Sequence, residues 1–255
     1  MLKKTLPIRP VVGFLKQISF IFFGLLLLCG VSLGESIPRY QINEKLLERD
    51  FLRITTASEY GGFSKFARSI KKYTKTVRYK IVNHAAKHRH DAVSGFMNLV
   101  DRQIDGLSIE RASSLTDANF VIHIVDKAQY ADVIKNEVYR RPDAKVRGRC
   151  FVRVLPGEAG IGKTDVVILS DHSEKLFQRC LVEEVLQGLG PLADKANRKY
   201  SVFNTYSEHS TFTLHDRLLM KVLYDPRIKA GMSKAEVKLV LPAVIRDTVA
   251  KTVRN

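Results

Sequence analysis

The sequence predicts an α/β domain of the α+β kind, a mixed sheet packed on one prominent helix and followed by a helical C-terminal part. Three observations carry that prediction. Residues 76–82, 118–126, 150–155 and 165–170 are rich in β-branched and aromatic residues, and the first alternates apolar with polar as a half-buried strand does. Residues 91–104 and 177–190 repeat apolar side chains at spacings of three and four, the period of a helix with one buried face. After residue 204 the helical spacing recurs twice and no further strand is read.

Taken in order, residues 35–50 read as a polar linker and 51–55 (FLRIT) as a short first strand, with Tyr60-Gly61-Gly62 as a turn and 63–72 as a short helix or loop. Residues 76–82 set Val77, Tyr79 and Ile81 against Arg78 and Lys80. His84, His88 and His90 follow on a charged stretch that points to exposure, so no metal site is expected there. Val93, Phe96, Met97, Val100 and Ile104 mark a core-facing helix that stops at Gly106. Residues 107–111 and 118–126 are strands; His123, within the second, is read as a packed or surface residue. Residues 128–138 are expected to be helical, and 139–149, with Pro142 and Gly148, a basic loop.

Gly157, Gly162, Lys163 and Thr164 match the phosphate-loop pattern GxxxxGK[ST], which would make the chain a nucleotide-binding protein. That chemistry needs a helix to begin at the Lys-Thr pair, whose first N–H groups hold the phosphate. Val166, Val167, Ile168 and Leu169 follow instead, so a β-hairpin is the better expectation.

Ser173 is the N-cap of the next helix, with Glu174 in its first turn. Phe177, Leu181, Val182, Val185, Leu186 and Leu189 share its apolar face, and Glu183, Glu184 and Gln187 lie opposite, as on a solvated face. The spacing is that of a metallopeptidase helix, in which His at i and i+4 hold zinc and the intervening Glu is the base. Glu183 and Gln187 occupy the two histidine positions, and Glu184 that of the base. Beyond an irregular stretch to residue 204, residues 213–224 form a helix ended by Asp225-Pro226, and Ser233 with Glu236 is a capping box opening the last helix.

Composition sets the compartment. Lys3, Lys4, Arg9 and Lys16 precede the apolar run 18–34, and Ser32 and Gly34 supply small residues for cleavage, so 1–34 reads as a signal peptide, with an uncleaved anchor as the alternative. The remainder, after the linker, is one domain over 51–255. The chain carries 42 Lys+Arg against 26 Asp+Glu; losing 1–34 removes four basic and no acidic residues, leaving a net charge of +12. The basic residues, clustered only at Lys71, Lys72, Lys75 and Arg78 and at 135–149, lack interleaved aromatics, which argues against nucleic acid and for anionic lipid, surface polymer or an envelope protein as partner. Cys150 and Cys180 remain after the leader, and an exported chain favours one disulfide between them over two buried thiols.

The succession of strand, helix, strand, strand, edge strand, strand, motif helix, loop and helix resembles the catalytic domain of zincin metallopeptidases of the matrixin and astacin kind. Glu183, Glu184, Gln187, Gly188, Leu189 and Gly190 overlay HExxHxLG, and Leu214, Asp216, Leu219, Leu223 and Tyr224 resemble the later helix of those enzymes. More closely, the chain resembles the bacterial exported family Domain of Unknown Function 2927. That likeness rests on Glu59-Tyr60-Gly61-Gly62, Val77-Arg78-Tyr79, Ala118-Asn119, Cys180-Leu181, Glu183-Glu184 with Gln187, Ser201 with Phe203-Asn204, His215-Asp216, 223–227 and Gly231-Met232.

The zincin resemblance implies a third zinc ligand at Ala193, which has no donor; Asp194 is its neighbour. The expectation is therefore a degenerate metallopeptidase-like domain with no metal and no cofactor, acting in binding or structure. The alternative is a hydrolase using Glu184 as base with Glu183, Gln187 and His215 as further candidates.

Overall fold

The computed structural model describes residues 42–56, 68–197 and 199–254. The leader, its cleavage site, most of the 35–50 linker and the Tyr60-Gly61-Gly62 turn lie outside them. All described residues belong to one compact unit, and none of their helices is long and apolar enough to cross a membrane.

Five strands form one mixed sheet: β1 (Val77–Asn83), β2 (Ile109–Arg111), β3 (Phe120–Val125), β4 (Cys150–Gly157) and β5 (Gly160–Leu169), in the order β2-β1-β3-β5-β4. β1 runs parallel to β2 and β3, and β3 to β5; β4 returns antiparallel along the edge beside β5. Among the described residues six helices accompany the sheet: α1 (Glu44–Thr55), α2 (His90–Gln103), α3 (Lys127–Asp132), α4 (Glu174–Gly188), α5 (Leu214–Tyr224) and α6 (Lys234–Arg254). A π-helical segment, Val133–Tyr139, continues α3 and ends at Arg140 in the left-handed conformation, φ 54°.

Alternation along the strands divides the interior. Phe120, Ile122 and Ile124 of β3 with Val166 and Ile168 of β5 face the main core, which α2, α4, α5 and α6 complete. Val125, Val167, Leu169 and Phe151 face the other way, under Tyr130, Val133, Ile134 and Val138 of α3 and the π segment. Both faces of β3 are buried, so its six residues are all inaccessible.

Two expectations change. Residues 51–55 are the last turns of α1 rather than a strand, and 44–50, expected in a linker, are its first. Asn43 caps this helix by accepting from Leu46 N at 2.9 Å, and Leu47, Phe51 and Ile54 are fully buried at helical spacing. A five-residue window is too short to show that period. Second, Lys71 and Lys72, grouped with Lys75 and Arg78 as a basic cluster, are buried. Lys71 Nζ donates to the carbonyls of Thr55 and Ser69, at 3.2 and 2.9 Å, and Lys72 Nζ donates to those of Leu223, Asp225 and Ile228, at 2.9, 3.3 and 2.7 Å. The two ammonium groups thus satisfy carbonyls at the C-terminal ends of α1 and α5, where the helix dipole favours a cation.

Candidate functional site

Ser173 caps α4 as its sequence demands, accepting from Leu176 N at 3.3 Å, and Glu174 in the first turn receives a hydrogen bond from Arg89 at 2.6 Å. The helix then departs from the solvated face expected of it. Glu183, Glu184 and Gln187 are 6, 9 and 6% exposed, and the chain after the helix returns to this side at Asp194, beside Gln187, and at Asn204 and Thr205, beside Arg179. Arg179 Nε donates to Glu183 Oε2 at 3.1 Å while its Nη2 reaches the carbonyls of Asn204 and Thr205, at 3.3 and 3.1 Å. The Gln187 amide donates to Asp194 Oδ1, one residue beyond Ala193, where the zincin resemblance implies a third metal ligand.

Two glycines let the end of α4 sit this close to the sheet. A Cβ on Gly188 would stand 2.8 Å from the Phe120 ring and from the Thr164 methyl, and its carbonyl accepts the Thr164 hydroxyl at 2.9 Å. Gly190 turns the chain at φ 144°, where a Cβ would lie 2.2 Å from the Lys71 carbonyl oxygen. The thiols of Cys150 and Cys180 are joined, tying edge strand β4 to the middle of α4 with Cα atoms 5.7 Å apart, an ordinary disulfide span.

His215, the histidine paired with Glu184 in the hydrolase expectation, is held elsewhere. Its Nε2 lies 3.1 Å from Oδ2 of Asp50, a fully buried carboxylate of α1 that also accepts from Asn197 N at 2.9 Å. Burial pushes the Asp50 carboxyl upward, but the His215 and Asn197 hydrogen bonds with the charges of His215 and Arg49 outweigh it and hold the group below its ordinary value. The adjacent Asp216 accepts from Ser201 Oγ at 2.5 Å, Thr213 Oγ1 at 2.7 Å and Val202 N at 3.2 Å, fastening the loop that follows α4 to the start of α5. Beside His215, a cavity of about 280 Å³ opens between α1 and α5, lined by Ile42, Leu46, Tyr200, His209, Leu214 and Leu218 among others.

These donors do not fit the catalytic zinc that the zincin resemblance brings with it. Such an ion takes three free donors and a water. Here the Glu183 carboxylate is paired with Arg179, the Gln187 amide is engaged by Asp194, and Ala193 is a buried methyl. The phosphate loop is likewise not formed. β4 and β5 pair up to Gly157 and Gly160, the turn is Glu158-Ala159, and Lys163 and Thr164 lie inside a continuous strand. Without a helix starting there, no row of free N–H groups faces a phosphate.

Sequence reasoning missed Arg179, Asp194 and Asp50 as partners of the candidate residues. It also missed a polar group on the opposite face of the sheet. His84, just past β1, His123 of β3 and Glu137 of the π segment bring together three side chains able to ligate a metal. His123 Nδ1 is 3.3 Å from His84 Nε2 and 3.7 Å from Glu137 Oε2, and its Nε2 is 4.0 Å from Asp165 Oδ1. Burial, then the neighbouring His84 and Lys163, push His123 down to about 4, so the ring is neutral at physiological pH. The signal available in the sequence was parity: His123 alternates with Phe120, Ile122 and Ile124 of the main core, so it had to face the other side.

The fold and these residues define a mixed α/β domain built around a buried motif helix. Residues 44–243 match the family model described as Protein of unknown function (DUF2927), and the chain belongs to that family. No curated protein and no solved structure matches it significantly.

Proposed function

We propose that this is an exported cell-envelope protein whose zincin-like domain has lost the metallopeptidase centre and serves in binding or structure without catalysis. The observation that carries the reading is the engagement of the α4 donors: Glu183 with Arg179 and Gln187 with Asp194, where an enzyme of that kind would present free ligands. The zincin-like scaffold is supported by the order β1, α2, β2, β3, then, after α3 and the π segment, edge strand β4, β5, α4, a loop and α5. Export is supported by the basic and then apolar leader and by the Cys150–Cys180 disulfide, a bond that persists in oxidising compartments. The net charge of +12 without the leader favours anionic lipid or surface polymer as partner, besides an envelope protein.

The decisive experiment compares hydrolysis of unfolded protein and peptide substrates by the native chain and by Glu184→Gln. Equal, background-level rates are expected. Hydrolysis by the native chain that disappears in the variant would replace this reading with a hydrolase using Glu184 as base. Fractionation of cells should place the protein outside the cytoplasm, and sedimentation with anionic but not zwitterionic vesicles, weakening as salt rises, would identify a lipid surface as the partner.

A further inference from the structure

We propose that His84, His123 and Glu137 form a binding site for one divalent transition-metal ion of the zinc class, on the face of the sheet opposite α4. The three ligand atoms, His84 Nε2, His123 Nδ1 and Glu137 Oε2, are separated by 3.3, 3.6 and 3.7 Å. A triangle with those sides has its centre about 2.05 Å from each corner, and zinc binds His nitrogen and carboxylate oxygen at about 2.0 to 2.2 Å. An ion slightly above that plane has tetrahedral angles with no movement of the protein beyond a few tenths of an ångström. Two imidazoles and one carboxylate suit zinc and its neighbours rather than calcium or magnesium, which take oxygen ligands. Three protein ligands leave one tetrahedral position for water.

The surroundings support the same assignment. Each ligand is placed by a different element. Parallel pairing of β1 with β3 brings His84 alongside, its N–H donating to the Ile124 carbonyl at 2.8 Å. Glu137 comes from the π segment, a rare conformation often found where a helix must aim a functional side chain. His123 sets its Nε2 side 4.0 Å from the buried Asp165 carboxylate and its Nδ1 side toward His84 and Glu137. Cations on the neighbouring strands are occupied: Lys163 pairs with Asp165 at 3.3 Å, and Arg153 donates to the Val138 carbonyl and lies over the Tyr139 ring. The site opens outward through Glu137, which is 44% exposed, and His84, 22% exposed, while His123 at 5% forms its floor.

The test uses the purified full chain, stripped with chelator and titrated with zinc against a metal-indicator dye, then loaded with cobalt(II) for visible spectroscopy. One equivalent of zinc and the intense absorption of tetrahedral cobalt are expected. Because His123→Asn could fail to fold, the ligands on the solvent side are changed. Glu137→Gln and His84→Asn should each weaken zinc binding at least about tenfold, the loss that even an outer partner's removal brings, with thermal melts showing that both still fold. Gln187→Ala, on the other face, should leave the affinity unchanged, which separates this site from any residual metal binding by α4. Failure of the native chain to bind one equivalent, or equal binding by both ligand variants, would overturn the proposal.

Discussion

At the residue scale, Lys72 departs from what its type usually does. A lysine is ordinarily a solvated point charge, yet this one is buried and gives its three N–H donors to three carbonyls around the end of α5. Hydrogen bonds from a charged group are worth about 1.5 to 3 kcal/mol each in favourable cases, and an abandoned buried carbonyl costs comparably. Lys72→Met should therefore lower unfolding free energy by about 2 to 4 kcal/mol, read by denaturant titration. Burial pushes Lys71 and Lys72 down to about 8 each, from 10.5. Between pH 8 and 10 the unfolded chain then holds more protons than the folded one, so their contribution makes stability rise with pH across that window. Above pH 10 the sign reverses, because burial raises Tyr73 and Tyr224 and the folded chain keeps phenol protons that the unfolded chain has lost. A melting-temperature profile should climb from pH 8 and turn over near 10, and the climb should shrink in Lys72→Met.

At the element scale, α4 is defined by what holds its middle and its end. The disulfide fastens its middle to β4, and Gly190 seats its end against the Lys71 backbone. Cys180→Ser opens a loop of 30 residues and should cost about 3 to 4 kcal/mol in the chain-entropy picture, with a matching loss on reducing the native protein. Gly190→Ala should be at least as damaging, since a backbone oxygen 2.2 Å from the new methyl cannot yield without moving Lys71, itself fixed to the end of α1. The existence of α4, its cap and its apolar stripe were legible in the sequence because each depends on residues within four positions of one another. Its burial was not. Arg179 reaches Asn204 and Thr205 across 25 residues, and Gln187 meets Asp194 only because Gly190 reverses the chain. Local periodicity sees three polar residues on one face and cannot see the distant residues that will meet them. Glu184 is buried as well, at 9% exposure.

At the scale of the molecule, the mixed sheet, the hairpin in place of a phosphate loop and the helical C-terminal part were all written in strand alternation and β-branched runs. α1 was missed because its fully buried residues, Leu47, Phe51 and Ile54, were divided between a supposed linker and a supposed strand. The His84–His123–Glu137 group was illegible for a different reason. Its members stand 39 and 14 residues apart, and they meet through strand pairing and a π segment that no propensity scale forecasts. His123 itself was visible as a polar residue in an apolar strand, which was the one sequence sign that something needed to be satisfied beneath α3.

The sheet separates the two places where chemistry has been sought. α4 packs on the side of Phe120, Ile122 and Ile124, whereas His123 looks out on the side of Val125, and β3 between them is closed to water on both faces. A close-packed, largely apolar layer of this kind separates the groups on its two faces. Changes on the two sides should therefore be independent: the free-energy effect of Glu184→Gln combined with Glu137→Gln should equal the sum of the separate effects within about 0.5 kcal/mol. A substitution on one side of the sheet is therefore free to change that side's chemistry without being felt on the reverse.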